Sequence, residues 1–137
     1  WVLDKFPLGV LNIHPSLLPK YRGPSPIQAA ILNRNDETGV TLIKLDDQMD
    51  HGPIVAQEVV SGGGPTAGEL HDQLAQLGAQ MLIKYLPDYI AGKIKPVPQD
   101  ESRASYTKKL TKADGQIDWS KSPEQIEAHI RAMNPWP

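Results

Sequence analysis

Four prolines crowd the twelve residues after His14: Pro15, Pro19, Pro24 and Pro26. Each fixes its own φ at about −65° and removes a backbone donor, so no helix and no interior strand runs through this stretch. It reads as a stiff loop with little entropy left to lose on binding a ligand. The loop begins where a strand ends. Residues 9–14, GVLNIH, are mostly apolar and are stopped by Pro15. Side chains alternate along a strand, so Val10, Asn12 and His14 share one face and Leu11 and Ile13 take the other. Two polar groups therefore point the same way near the strand's C-terminal end, which is where open α/β sheets bind ligands.

The rest of the chain alternates strand and helix patterns. Ser25-Pro26 offers a hydroxyl cap and a first-turn proline, followed by Ile27, Ala30 and Ile31 at helical spacing. Residues 38–45 and 53–60 are β-rich, pair as a hairpin or lie apart in one sheet, and flank the acidic loop DDQMDHG. Thr66 and Glu69 form a capping box ahead of the longest helix, striped by Leu70, Leu74, Leu77, Met81 and Leu82. Pro87 is expected to end or kink that helix, and Gly92 suits its terminator. Residues 93–121 are polar and punctuated by proline, as a linker is. Ser122-Pro123 opens a last helix with Ile126, Ile130 and Met133 on its apolar side.

This alternation predicts an α/β fold. A sheet of roughly three strands is smaller than usual, and the chain opens on Trp1 and closes on NPWP, so it is expected to be an internal piece of something longer. Apolar runs extend only a few residues, so no membrane span is expected. The chain has no cysteine, which excludes disulfides, thiolate nucleophiles and Cys-bound zinc and makes a reducing cytoplasm the default. Charge is uneven. Residues 93–112 carry six Lys or Arg against Asp100 and Glu101, while the remainder holds eight cations and fourteen anions. Such a stretch is either a solvated linker or an electrostatic handle for nucleic acid.

Asn12, His14 and the acidic loop 46–51 together make an amide, an imidazole and a carboxylate at one strand end. That set supports acyl transfer without a nucleophilic side chain. N–H groups of the amide and imidazole hold an oxyanion, and a carboxylate orients the imidazole and favours its charged form. Imidazole titrates near neutrality and can also move the proton of an attacking amine. A structural histidine with ordinary loop aspartates is the plainer alternative. A hard-ligand metal set of His14, Asp50 and His51 is the third, although no two histidines stand at i, i+4. Within the stiff loop, Leu17 and Leu18 are not easily both buried and suit an apolar wall for a flat heterocycle, with Ser16 beside them for hydrogen bonding.

LNIHPSLLPKYRGPSPIQ followed by ETGVTLIKLDDQMDHGPIV resembles the formyltransferase family that uses formyl-tetrahydrofolate. The shared pattern is Asn-x-His, then Ser-Leu-Leu-Pro, then Tyr-Arg-Gly and a downstream Asp-x-Gly-Pro loop. His51 departs from it, standing where the family often has Thr. The resemblance implies a catalytic triad of Asn12, His14 and Asp50. It implies folate contact from Ser16, Leu17, Leu18 and Pro19, and a substrate-side place for Arg22. GQIDWSKSPEQIEAHIRAMNPWP resembles the linker and first C-terminal-domain helix of the branch that formylates initiator methionyl-tRNA. The implied layout is residues 1–92 as the C-terminal half of a Rossmann-like catalytic domain and 93–114 as a linker. Residues 115–137 then begin a tRNA-binding-type β-barrel domain. Formyl-tetrahydrofolate is the implied cosubstrate, with no metal, initiator methionyl-tRNA the partner, and the full-length protein a monomer. Hydrolases and sugar-nucleotide formyltransferases of this family keep the same triad, and a catalytically idle folate- or RNA-binding module is the remaining reading.

Overall fold

The computed structural model describes residues 2–137. Its centre is an antiparallel sheet of three strands in the order β1-β2-β3: β1 Leu11–His14, β2 Glu37–Lys44 and β3 Ile54–Ser61. The two β-rich runs do pair as a hairpin. β1 adds to the other side of β2, with His14 opposite Thr41 and Asn12 opposite Ile43. β2 is therefore central, which explains why it reads as apolar on both faces.

The helices are α1 Pro26–Leu32, α2 Ala67–Ile90 and α3 Pro123–Ala132. They share one core, in which Ile27 and Ile31 of α1, Leu70, Leu74 and Met81 of α2, and Ala132 of α3 meet Val40 and Leu42. α2 comes close to the sheet through Gly78, where a Cβ would lie 2.5 Å from Ile13 Cγ2. The register puts Ile13, Val40 and Leu42 on this covered face, so Asn12, His14, Thr41 and Ile43 look out on the other.

Local signals set most boundaries. Thr66 Oγ1 accepts from Glu69 N–H, and Glu69 Oε2 accepts from Thr66 N–H, a complete capping box. Ser122 and Gln125 repeat the device at α3. Ser25 stands at the start of α1, but its hydroxyl makes no capping bond; its own N–H donates to Thr107 Oγ1 instead. Pro87 neither ends nor visibly interrupts α2, which runs on to Ile90 before Gly92 turns at φ +71°. Only the Ile83 carbonyl loses a partner to that proline, and Ile83 lies on the solvent face, where water replaces the donor.

One expectation needs correction. The buried side of α3 is Ala128, Ala132 and Met133, whereas Ile130 is 51% exposed. Small residues let α3 lie close on α1, Ile126 is half-buried, and Ile130 turns outward. Residues 93–114, read as a linker, are tied to the body as a strap: Val97 pairs with Ile54 at the edge of the sheet, and Tyr106 pairs with Arg22. Among the described residues no helix is long and apolar enough to cross a membrane.

The open face is packed by the proline loop. Leu17 sits against Gly39, where a Cβ would meet Glu58 O at 2.1 Å and Leu17 Cδ2 at 2.7 Å. The first of these is backbone and cannot yield. Gly39→Ala is therefore expected to destabilise the fold by about 2 to 3 kcal/mol in a urea melt, through overpacking at this crossing.

Candidate active site

Strand β1 ends in His14, which is almost wholly buried, and the chain then folds back over it. His14 Nε2 lies 3.1 Å from the carbonyl oxygen of Tyr21, so this nitrogen carries a proton and donates it. Nδ1 faces Asp50 Oδ1 at 3.6 Å, the two side chains being 4% and 15% exposed. The loop after β2 thus delivers Asp50, of its three aspartates, to the imidazole. Tyr21 and Asp50, the residues that meet the ring, both adopt positive φ, +64° and +51°. Asp tolerates this region; for Tyr it is strained and is held only by its surroundings.

Burial pushes the His14 pKa below its usual 6.5, against the opposing pull of Asp50 and the Tyr21 carbonyl. The resting ring is neutral, with its one N–H on Tyr21 and a lone pair at Nδ1. The expected oxyanion-holding N–H of His14 is thus already committed. What remains is a basic nitrogen beside a carboxylate, a pair short of one proton. Asn12, half-buried on the same face, has a carboxamide with no hydrogen-bond partner among the described residues. It is the free donor of the site.

Because the native ring binds protons less readily than an unfolded histidine, its contribution to stability is complete above pH 6.5. That contribution is lost as pH falls from 6.5 through the lower folded value. The melting temperature is expected to drop over this interval, and His14→Asn should drop less. Parallel curves would show that His14 is not the titrating group.

The loop 16–19 divides its residues. Ser16 and Leu18 are buried. Ser16 Oγ donates to Lys20 O at 2.6 Å, and Leu18 N–H donates to Thr41 Oγ1 at 3.1 Å. Thr41 in turn donates to Ser16 O, and Gln57 Nε2 donates to both Leu18 O and Thr41 Oγ1. These two residues serve as the loop's anchor. Leu17 and Pro19 keep surface, and Leu17 lines a cleft of about 440 Å³ with Lys20, Tyr21 and residues 35–38.

Arg22, for which the resemblance implies a substrate-side place, is held inside the protein. It is 0% exposed, and its fork is filled: Nε and Nη2 donate to Gln99 Oε1, Nη1 and Nη2 to the carboxylate of Glu101, and Nη1 also to Tyr106 Oη. Gln99 and Glu101 come from the segment that reads as a linker, and nothing local marks them. His51 likewise joins this network, with Nδ1 2.6 Å from Asp46 Oδ2 and Nε2 3.4 Å from Glu101 Oε1. Among the described residues no group of three His, Asp or Glu side chains could hold a metal ion.

Comparison with known families gives the setting for this geometry. Residues 1–86 match the family model described as formyl transferase, and residues 109–137 match that of the formyl transferase C-terminal domain. The chain belongs to the formyl transferase family. It is 55% identical to the methionyl-tRNA formyltransferase of Chloroflexus aurantiacus over 138 residues, and 46% identical to that of Nitratidesulfovibrio vulgaris over 137 residues. Each match takes in 99% of this chain but only 44% and 42% of the relative, so the chain spans less than half their length. Among solved structures, an N-formyltransferase of Helicobacter canadensis in complex with folinic acid and dTDP-3-aminofucose superposes with a TM-score of 0.83. It is 28% identical, over 90% of this chain and 46% of that one. HypX of Aquifex aeolicus shares the α/β fold at a TM-score of 0.80 and 22% identity, over 93% of this chain and 22% of that one.

Proposed function

We propose that this formyl transferase chain carries the transfer centre of an enzyme that moves a formyl group from formyl-tetrahydrofolate to the α-amine of methionyl-tRNA. The observation that carries the chemistry is the His14–Asp50 pair, one proton short, beside the unpartnered amide of Asn12. Support for the acceptor comes from relatives at 46–55% identity that are methionyl-tRNA formyltransferases, and from the match of residues 109–137 to a C-terminal domain model.

In this reading the amine nitrogen attacks the formyl carbon, and the Asn12 carboxamide donates to the oxygen that gains charge. The attacking amine gives up a proton, which enters at the exposed edge of Asp50 and settles on His14 Nδ1, bridging to Oδ1. The imidazolium is then held between the carboxylate and the Tyr21 carbonyl. The same proton passes to the departing folate nitrogen as the carbon–nitrogen bond breaks, so charge balances over the cycle. Leu17 and Pro19 offer the folate an apolar edge. The basic residues of 93–112 face the nucleic acid, as backbone-positioning rather than base-reading contacts. The enzyme works in the cytoplasm, as a monomer.

Likeness to a structure containing a dTDP-amino sugar favours a sugar-nucleotide amine as the second acceptor. The protein at its natural length should be given formyl-tetrahydrofolate with methionyl-tRNA, with a nucleotide-linked amino sugar, or with water alone. Transfer to methionyl-tRNA at the highest kcat/KM is the expected result. Preferential transfer to the sugar, or hydrolysis alone, would overturn the assignment.

A further inference from the structure

We infer that Gln99 is a positioning residue that holds Asp50 against His14, coupling the acidic loop to the buried guanidinium of Arg22. The inference rests on the reading in which Asp50 and His14 serve the transfer. A primary amide has two N–H donors and two acceptor lone pairs, and Gln99 uses all four. Its Oε1 accepts from Arg22 Nε at 3.0 Å and Nη2 at 2.7 Å. Its Nε2 donates to the carbonyls of Asp50 and Gly52, each at 2.8 Å. The orientation of the amide is unambiguous, since Arg22 offers only donors and the two carbonyls only acceptors.

What Gln99 grips is the part of the loop that has most to lose. Asp50 sits at φ +51°, a conformation that Asp tolerates but that an unanchored loop has no need to keep. Its carboxylate has one firm anchor, the Gly23 N–H at 2.7 Å from Oδ2. The approach of Oδ1 to His14 is longer, at 3.6 Å, and no other hydrogen bond enforces it. Without the Gln99 donors, two carbonyls lose their partners, the backbone at 50–52 relaxes, and the carboxylate swings about Gly23. Asp50 is the charged side chain that raises the His14 pKa, while the Tyr21 carbonyl acts from the opposite side of the ring.

Gln99→Glu separates the two halves of the grip. A carboxylate still accepts from Arg22, but it presents oxygen to the Asp50 and Gly52 carbonyls. In the protein at its natural length, kcat is expected to fall about 10- to 100-fold, because a catalytic group displaced by a fraction of an ångström loses that much. KM for formyl-tetrahydrofolate should change less than about twofold. With Asp50 loosened, the acid limb of kcat/KM should move to lower pH. Tyr106→Phe removes another Arg22 partner without touching the acidic loop; it should lower the melting temperature and leave that limb in place. If Gln99→Glu keeps the wild-type kcat and acid limb while Asp50→Asn is inactive, the role of Gln99 is overturned and the transfer centre stands. If Asp50→Asn is fully active, the underlying reading fails as well. Should Gln99→Glu not fold, Gln99→Asn, one methylene short of both partners, decides in the same way: a displaced limb supports the inference and an unmoved one refutes it.

Discussion

His14→Ala is expected to lower kcat roughly 100- to 10,000-fold, the range for losing a positioned proton acceptor, while leaving KM for formyl-tetrahydrofolate nearly unchanged. The ring is almost wholly buried, whereas Leu17 and Pro19 keep surface, so it is expected to contribute little to folate binding. Its share of the work is the amine's proton. Asp50→Asn should lose nearly as much, and the double variant little more than either single one, because the two groups act as one acceptor. Initial rates over a matrix of folate and acceptor concentrations separate the two constants. Equal losses in kcat and in folate affinity would remove His14 from the chemistry and leave it a binding residue.

Arg22→Met carries the largest expected effect on stability. It keeps an unbranched chain in the same space but leaves the buried Gln99 oxygen without either donor and Glu101 without its guanidinium. Breaking a buried ion pair from one side typically costs about 3 to 5 kcal/mol. Here Glu101 is 56% exposed and regains water, so the low end applies, about 3 kcal/mol. Arg22→Lys should cost less, since one ammonium meets a single acceptor where the planar fork meets three. A urea titration reads both, as a lower midpoint at unchanged slope. An Arg22→Met protein as stable as the wild type would show that the strap closes without this clamp.

These two residues also mark how far the sequence could be read. The shared face of Asn12 and His14 was legible because alternation acts at short range, and the acidic turn between two β-rich runs offered Asp46, Asp47 and Asp50 alike. The resemblance to formyltransferases singled out Asp50 and implied the roles. The burial of Arg22 was not legible because a lone arginine in a polar loop carries no local mark of it, and its acceptors lie more than seventy positions away. Which of the two leucines is buried was hidden in the same manner. The prolines said only that Leu17 and Leu18 are not easily both buried, and it is Thr41 and Gln57 that draw the backbone at Leu18 down onto the sheet. Gly39 leaves room for Leu17 to follow.

By itself the sequence determined where most elements start and stop, because caps, prolines and hydrophobic spacing act within a few residues of one another; the run of α2 through Pro87 is the exception. It also determined which strand face bears the polar pair, since alternation admits no other arrangement. Only the tertiary structure decided that His14 spends its N–H on Tyr21, that α3 buries alanines rather than isoleucines, and that residues 97–107 bind the site together. Those outcomes depend on which distant donor finds which acceptor once water is excluded, and such pairing leaves no period in the chain.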